Sequence, residues 1–232
     1  MKRIVVTNSK GGTGKSTIAA NLASFYALAG YKTTIIDYDP QASSSHWVDK
    51  RPINAIEIQS IRAYQAATAR VTKSWFLKPQ PGTQRIIIDT PSGLDAAEFK
   101  ATLAEADAIL IPVTPSSIDI HASTHFIADL LLGAKLKREH DQIAVIANRS
   151  RKNTVAYRKL EHFLLSLHIP FVSSLRDTQN YIKTIEQGSS IFEAGAKQMQ
   201  QDIADWSAVF NWLEQCFDSS DRRSGKVIQS TA

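Results

Sequence analysis

Short apolar runs recur along the chain, and helical patterns fill the intervals between them. Ile4-Val5-Val6, Thr33-Thr34-Ile35-Ile36-Asp37, Arg85-Ile86-Ile87-Ile88-Asp89, residues 108–113 and Ile143-Ala144-Val145-Ile146-Ala147-Asn148 read as strands. Runs this apolar suit strands covered on both faces. After the first run, Ile18, Leu22, Phe25 and Ala29 share one helical face, and Gly30 is placed to end that helix. The pattern further predicts a short helix at 42–50, a strand at 56–58, a helix at 61–74 and a turn at 79–82. Helices follow at 95–106, 119–138 and 154–167, then a short strand near 170–172 and a helix near 181–187. A last helix, about 197–217, carries Ile203, Trp206, Phe210, Leu213 and Phe217 on one stripe, which suits a core better than a partner surface. Residues 218–232 are charged and Ser-rich with almost no apolar content, and predict a disordered tail. Strand and helix patterns alternate without repeat or interior linker. The expected fold is therefore α/β: one domain, 1–217, with a doubly wound, mostly parallel sheet and helices on both faces.

Composition narrows the picture. Hydrophobic residues make up 43% of the 232 positions and charged residues 21%, ordinary globular values. The one cysteine, Cys216, excludes an internal disulfide framework and argues against an iron–sulfur cluster, which takes several thiolates. No signal peptide precedes the first strand and no run is long enough to span a bilayer, so a cytoplasmic location is expected. The net charge of +5 permits contact with nucleic acid or anionic lipid without requiring either.

Chemistry concentrates at the strand ends. Lys10-Gly11-Gly12-Thr13-Gly14-Lys15-Ser16-Thr17 lies between the first strand and the first helix. Glycines there let backbone N–H groups turn inward, and the helix start contributes partial positive charge, which together make an anion site. Lys15 is placed to reach the β- and γ-phosphates of a nucleotide, and the Ser16 hydroxyl a magnesium ion. The spacing departs from G-x-x-x-x-G-K-[ST], because Ser9 stands where the first glycine belongs. The second strand ends in Asp37-Tyr38-Asp39-Pro40-Gln41 and the 85–89 strand in Asp89-Thr90-Pro91-Ser92-Gly93. Taken singly, each Asp reads as readily as a helix cap or turn residue as it does as a functional carboxylate. Together with Lys15 and Ser16 in chain order, they read as carboxylates around a metal and an attacking water.

The K-G-G-x-G-K-[ST] arrangement resembles the deviant Walker A box of the ParA/MinD family of ATPases, and the resemblance extends over about residues 1–215. It implies ATP/ADP and Mg2+ as ligands, with slow ATP hydrolysis stimulated by a partner. Lys10 would cross a dimer interface to the partner subunit's nucleotide. Asp39 would position the attacking water, and Ser16, Asp37 and Asp89 would serve the metal. Thr90-Pro91-Ser92-Gly93 would sense the γ-phosphate, and Asn148, in Asn148-Arg149, would meet the adenine. The segment 111–119 is similar to the family's proline-bearing segment near nucleotide and interface. Gln179-Asn180-Tyr181 and Gly188-Ser189-Ser190-Ile191-Phe192-Glu193 are similar to the small ParF-like plasmid-partition ATPases, and the first strand begins where larger relatives carry a helix-turn-helix domain. The implied function is partition or positioning of a cargo (plasmid, chromosome or protein organelle). It would use an ATP-dependent homodimer, a ParB-type or centromere-binding adaptor and non-specific double-stranded DNA in the nucleoid. A MinD-like membrane-associated reading is the alternative, although the tail lacks an apolar face for lipid. A metabolic ligase of related fold is the remote one. For DNA, Arg149, Arg151, Lys152, Arg158 and Lys159, preceded by Lys135, Lys137 and Arg138, form a stretch from Gln142 to Leu160 without Asp or Glu. Clustered charge of this kind suits phosphate backbones, and equally a solvated helix face.

Overall fold

A computed structural model describes residues 1–67, 77–93, 100–133, 142–166, 169–195 and 197–229. Seven strands form one parallel sheet: β1 (Lys2–Val6), β2 (Thr33–Asp37), β3 (Gln59–Arg62), β4 (Arg85–Asp89), β5 (Ala108–Val113), β6 (Ile143–Ser150) and β7 (Phe171–Arg176). Their order is β3-β2-β4-β1-β5-β6-β7. The helices are α1 (Lys15–Leu28), α2 (Ser43–Asp49), α3 (Lys100–Ala104), α4 (Ser117–Gly133), α5 (Val155–Ser166), α6 (Gln179–Glu186), α7 (Gln200–Asp205) and α8 (Ser207–Gln229).

The sheet is buried on both sides because its strands alternate between two cores. Ile4 and Val6 of β1, Ile87 of β4, Leu110 of β5 and Ile146 of β6 face one core, with Ile18, Leu22, Trp47 and Trp206 from the helices. Val5, Ile86, Ile88, Ile109, Ile111 and Val145 face the other, against Leu103, Ile127, Leu130, Tyr157 and Leu160. Helices α1, α2 and α6–α8 thus cover one face and α3–α5 the other. This is the doubly wound arrangement that the alternating patterns predict. β1 lies between β4 and β5, where the winding reverses. A crevice opens at such a switch point beyond the carboxyl ends of the strands.

Several local expectations hold. Gly30 ends α1 through a Schellman motif: it sits at φ 87°, its N–H bonds the Ala27 carbonyl, and the Tyr31 N–H bonds the Tyr26 carbonyl. Others are corrected. The third strand falls at Gln59–Arg62 rather than 56–58, because Ile58 and Ile61 are the buried positions while Ile56 is exposed. Residues 63–67 form a 3-10 turn where the pattern suggests an α-helix; the rest of that helix, residues 68–74, lies outside the described residues, as do 95–99 and 134–138. The last helix is two helices meeting at Trp206. The second continues to Gln229, where composition predicts a disordered tail. Its continuation is tied down at one point: the buried Lys2 ammonium donates to the Phe217 carbonyl (3.0 Å), Ser220 Oγ (2.6 Å) and Asp221 Oδ1 (2.5 Å).

Candidate nucleotide-binding site

The loop after β1 is shaped by two glycines in the left-handed region, Gly12 (φ 78°) and Gly14 (φ 89°). Gly14 is also the N-cap of α1, and no side chain caps that helix. Its first-turn N–H groups are therefore available to an anion rather than occupied by a cap. Any Cβ at Gly14 would overlap Asn148 Nδ2, which donates to the Thr13 carbonyl at 2.7 Å. Glycine is required there by conformation and by close approach together.

Around the loop lies a cleft of about 320 Å³ lined by Gly11, Gly12, Gly14, Lys15, Ser16 and Thr17, with Asp39, Gln41, Ser92 and Arg149 opposite. Lys15 is nearly buried, and its ammonium donates to the Lys10 carbonyl at 3.2 Å. Burial lowers its pKa, and the Asp89 and Asp39 carboxylates oppose that shift. A second cavity of about 280 Å³ adjoins, lined by Asn148, Arg176, Thr178, Tyr181 and Ile182 among others. The two share Thr17, Arg149 and Ile185.

The three strand-end carboxylates have different surroundings. Asp89 is fully buried and neither of its oxygens makes a hydrogen bond. Burial pushes its pKa up to about 7; Ser16 and Ser44 stand close enough to favour the charged form, without well-formed hydrogen bonds to it, and Asp37 adds repulsion. An orphaned carboxylate beside the Ser16 hydroxyl is a donor set that a hydrated Mg2+ fits, since that ion takes one or two protein oxygens and keeps its waters. Asp37 differs. Its oxygens accept from the backbone N–H groups of Asp39 (3.0 Å) and Ser45 (2.9 Å), so it organises the loop and caps the start of α2. The turn-and-cap role of Asp37 leaves a lone pair on each oxygen for the water shell of a metal, the role that the resemblance implies. Asp39 lines the cleft, held by the Gln41 N–H at 2.9 Å.

Sequence reasoning passes over several residues in and beneath the site. Asn8 is wholly buried at the base of the loop. Ser44 is buried beside Asp89. Arg149 belongs with the basic stretch in the sequence, but the structure turns it into the cleft: β6 breaks register with β7 between Ala147 and Ser150, and Arg149 takes φ 50° there. Of the other basic residues, Arg151 bonds Asp177 at 2.7 Å, while Lys152, Arg158 and Lys159 are exposed. Lys135, Lys137 and Arg138 lie outside the described residues.

Residues 4–191 match the model of the CobQ/CobB/MinD/ParA nucleotide binding domain. The chain belongs to that family. It is a P-loop ATPase domain that binds and hydrolyses ATP. A curated relative, the maintenance of carboxysome distribution protein A of Halothiobacillus neapolitanus, is 31% identical over 196 residues, covering 84% of this chain and 88% of that protein. Among solved structures, apo McdA of Cyanothece superposes with a TM-score of 0.68 at 19% identity, covering 94% of this chain and 99% of the other. The septum site-determining protein MinD of Pyrococcus horikoshii, complexed with Mg-ADP, gives 0.61 at 17% identity, covering 86% and 91%. At those identities the two structures speak for the fold. No described helix is long and apolar enough to cross a membrane.

Proposed function

We propose that the chain is a dimerising ATPase that partitions or positions a cargo (plasmid, chromosome or protein organelle), with ATP as the closing signal. The observation that carries this reading is the division of labour between two lysines of one loop. Lys15 lines the cleft with Gly11, Gly12 and Gly14, whereas Lys10 is not among the lining residues. A second lysine at the head of the loop, as the family resemblance implies, suits a partner subunit's phosphates. In this reading Lys15 and the loop N–H groups bind the β- and γ-phosphates, and the base sits in the second cavity beside Asn148. Ser16 and Asp89 hold Mg2+ through its waters, and the ion neutralises charge developing on the phosphates. Asp39 orients the attacking water, and the segment Thr90–Gly93 follows the γ-phosphate. A cargo-bound adaptor of the ParB or centromere-binding type stimulates turnover, and the closed dimer rests on nucleoid DNA.

The test is Lys10→Ala in light scattering with and without ATP. ATP binding is expected within about threefold of wild type, since Lys15 and the loop amides remain, while ATP-dependent dimerisation is lost. A variant that dimerises fully with ATP refutes the reading.

A further inference from the structure

Asn8 makes three hydrogen bonds that join three separate parts of the molecule. Its Oδ1 accepts from the Lys10 backbone N–H at 3.0 Å. Its Nδ2 donates to the Pro112 carbonyl on β5 at 2.8 Å and to Ser123 Oγ on α4 at 3.0 Å. Asn8 and Ser123 are both fully buried, so water does not substitute for any of these partners.

Lys10 is thereby held at both of its peptide groups. Asn8 fixes the N–H from beneath, through a turn closed by the side chain two residues earlier. The Lys10 carbonyl accepts from Lys15 Nζ at 3.2 Å and from Thr13 Oγ1 at 3.5 Å. The second pair of bonds comes from within the loop and moves with it. The Asn8 bond, by contrast, refers Lys10 to the sheet and to α4. The side-chain chemistry is demanding: one acceptor aimed forward and a two-proton donor aimed sideways. Asp lacks the donors, an apolar residue leaves buried polar groups unpaired, and Ser reaches only the N–H two residues on.

We propose that Asn8 is a positioning residue for Lys10, and that it ties the placement of that lysine to β5 and α4. The proposal rests on the reading that Lys10 acts across the dimer. Asn8 touches neither the cleft nor its ligand; it fixes the backbone from which Lys10 projects. A lysine whose backbone drifts loses its reach to a phosphate on another subunit, while the first-turn N–H groups of α1, which no side chain caps, remain to bind the subunit's own nucleotide.

The experiment is a double-mutant cycle read by ATP-dependent dimerisation in analytical ultracentrifugation, with nucleotide affinity measured alongside by calorimetry. Asn8→Ala is expected to weaken the ATP-bound dimer about tenfold or more, the size of one charge-assisted hydrogen bond lost between Lys10 and the partner subunit's phosphate, with ATP affinity within about threefold. Asn8→Ser keeps the acceptor for Lys10 and loses the bonds to Pro112 and Ser123. It should give a dimer weaker than wild type, because the tie to β5 and α4 is cut, and stronger than that of Asn8→Ala, because the Lys10 N–H is still held; a dimer no stronger than that of Asn8→Ala is what a purely core-bracing role gives. In a Lys10→Ala background, Asn8→Ala should add nothing further, because the group it positions is gone. Equal weakening by Asn8→Ala with and without Lys10 overturns the proposal, and so does wild-type dimerisation of Asn8→Ala. If Asn8→Ala shows no cooperative melt, Asn8→Ser decides alone: it folds and dimerises better than the Lys10→Ala protein, or the proposal fails. A Lys10→Ala protein that dimerises normally overturns the underlying reading as well, a result distinct from failure of the Asn8 arm alone.

Discussion

Asp89 is a residue whose cost is visible. Its carboxylate is fully buried without a well-formed hydrogen bond, and burial pushes its pKa up to about 7. In the unfolded chain the same group titrates near the usual carboxylate value of about 3.9. The folded form therefore holds its proton over a window where the unfolded form has lost it. Native stability falls as pH rises from about 4 to 7 on this account, and the full penalty is present above pH 7. Replacing the group by a neutral isostere removes the penalty. Asp89→Asn is expected to raise the melting temperature of metal- and nucleotide-free protein at pH 8, by an amount on the order of a few kcal/mol in stability. The gain should shrink steadily toward pH 4.5, and turnover should be lost. Thermal melts in chelator across that range check this. A gain that is flat with pH, or none, means that the carboxylate is charge-compensated in the folded protein.

At the scale of elements, the segment after α6 shows how a motif can be recognisable before its purpose is. Gly188-Ser189-Ser190-Ile191-Phe192-Glu193 docks on α1 and α2. Ser190 Oγ meets Ser24 Oγ at 2.6 Å, the Ile191 N–H donates to Asn21 at 3.2 Å, and Trp47 Nε1 donates to the Ser189 carbonyl at 2.9 Å. Glu193 pairs with Arg51 at 2.6 Å, and the Arg51 guanidinium lies over the Trp47 ring at 4.9 Å. Burial raises the Glu193 pKa, but the Arg51 contacts outweigh it and the carboxyl is held below its ordinary value. Gly188 makes the docking possible: it is left-handed at φ 65°, and a Cβ there would overlap the Lys50 carbonyl. Because the obstacle is backbone, Gly188→Ala is expected to destabilise by roughly 2–4 kcal/mol. Denaturant midpoints check it, and a change under about 0.5 kcal/mol refutes the close approach.

Burial also decides which elements the sequence makes legible. β1, β2, β4, β5 and β6 are apolar runs because both their faces are covered, and they stand out at once. β3 is an edge strand of sequence Gln-Ser-Ile-Arg with one buried residue, so no period marks it. β7 continues to Arg176 through two serines, Ser173 half-buried and Ser174 buried, which leave no apolar run to read. Lys15, Ser16, Asp39 and Asp89 announce themselves because site residues follow strand ends in chain order. Asn8, Ser44 and the turned-in Arg149 do not. Their roles come from contacts more than a hundred residues away, as with Asn8 and Ser123, from burial, or from a register break, and none of these leaves a spacing to read.

At the scale of the whole molecule, the proposed function asks for a surface that could meet DNA when two subunits close. The sequence offers five basic residues, and the structure sorts them. Arg149 faces the nucleotide cleft and Arg151 is engaged by Asp177. Arg158 and Lys159 project from the exposed side of α5, whose other side buries Tyr157, Leu160 and Leu164. Arg176, another cation at the same end, is held by the buried Asp202 at 2.7 Å. Exposed and adjacent, Arg158 and Lys159 are the cations best placed to find phosphates, with Lys152 beside the start of their helix. On the proposed function, a closed dimer would carry the patch twice, and affinity for a polyanion rises steeply with the number of contacts. The ATP-loaded protein is therefore expected to bind duplex DNA without sequence preference, and the ADP-loaded protein weakly. Arg158→Glu with Lys159→Glu removes two contacts per subunit. It should lower the slope of log affinity against log salt by roughly 3–4 units per dimer, equally for all sequences, while ATP-driven dimerisation stays intact. A filter-binding salt titration measures both slope and affinity. Unchanged binding in the double variant moves the DNA surface elsewhere on the molecule. Absence of DNA binding at low salt, with ATP-dependent attachment to anionic liposomes instead, replaces the nucleoid by a membrane as the surface on which this ATPase works.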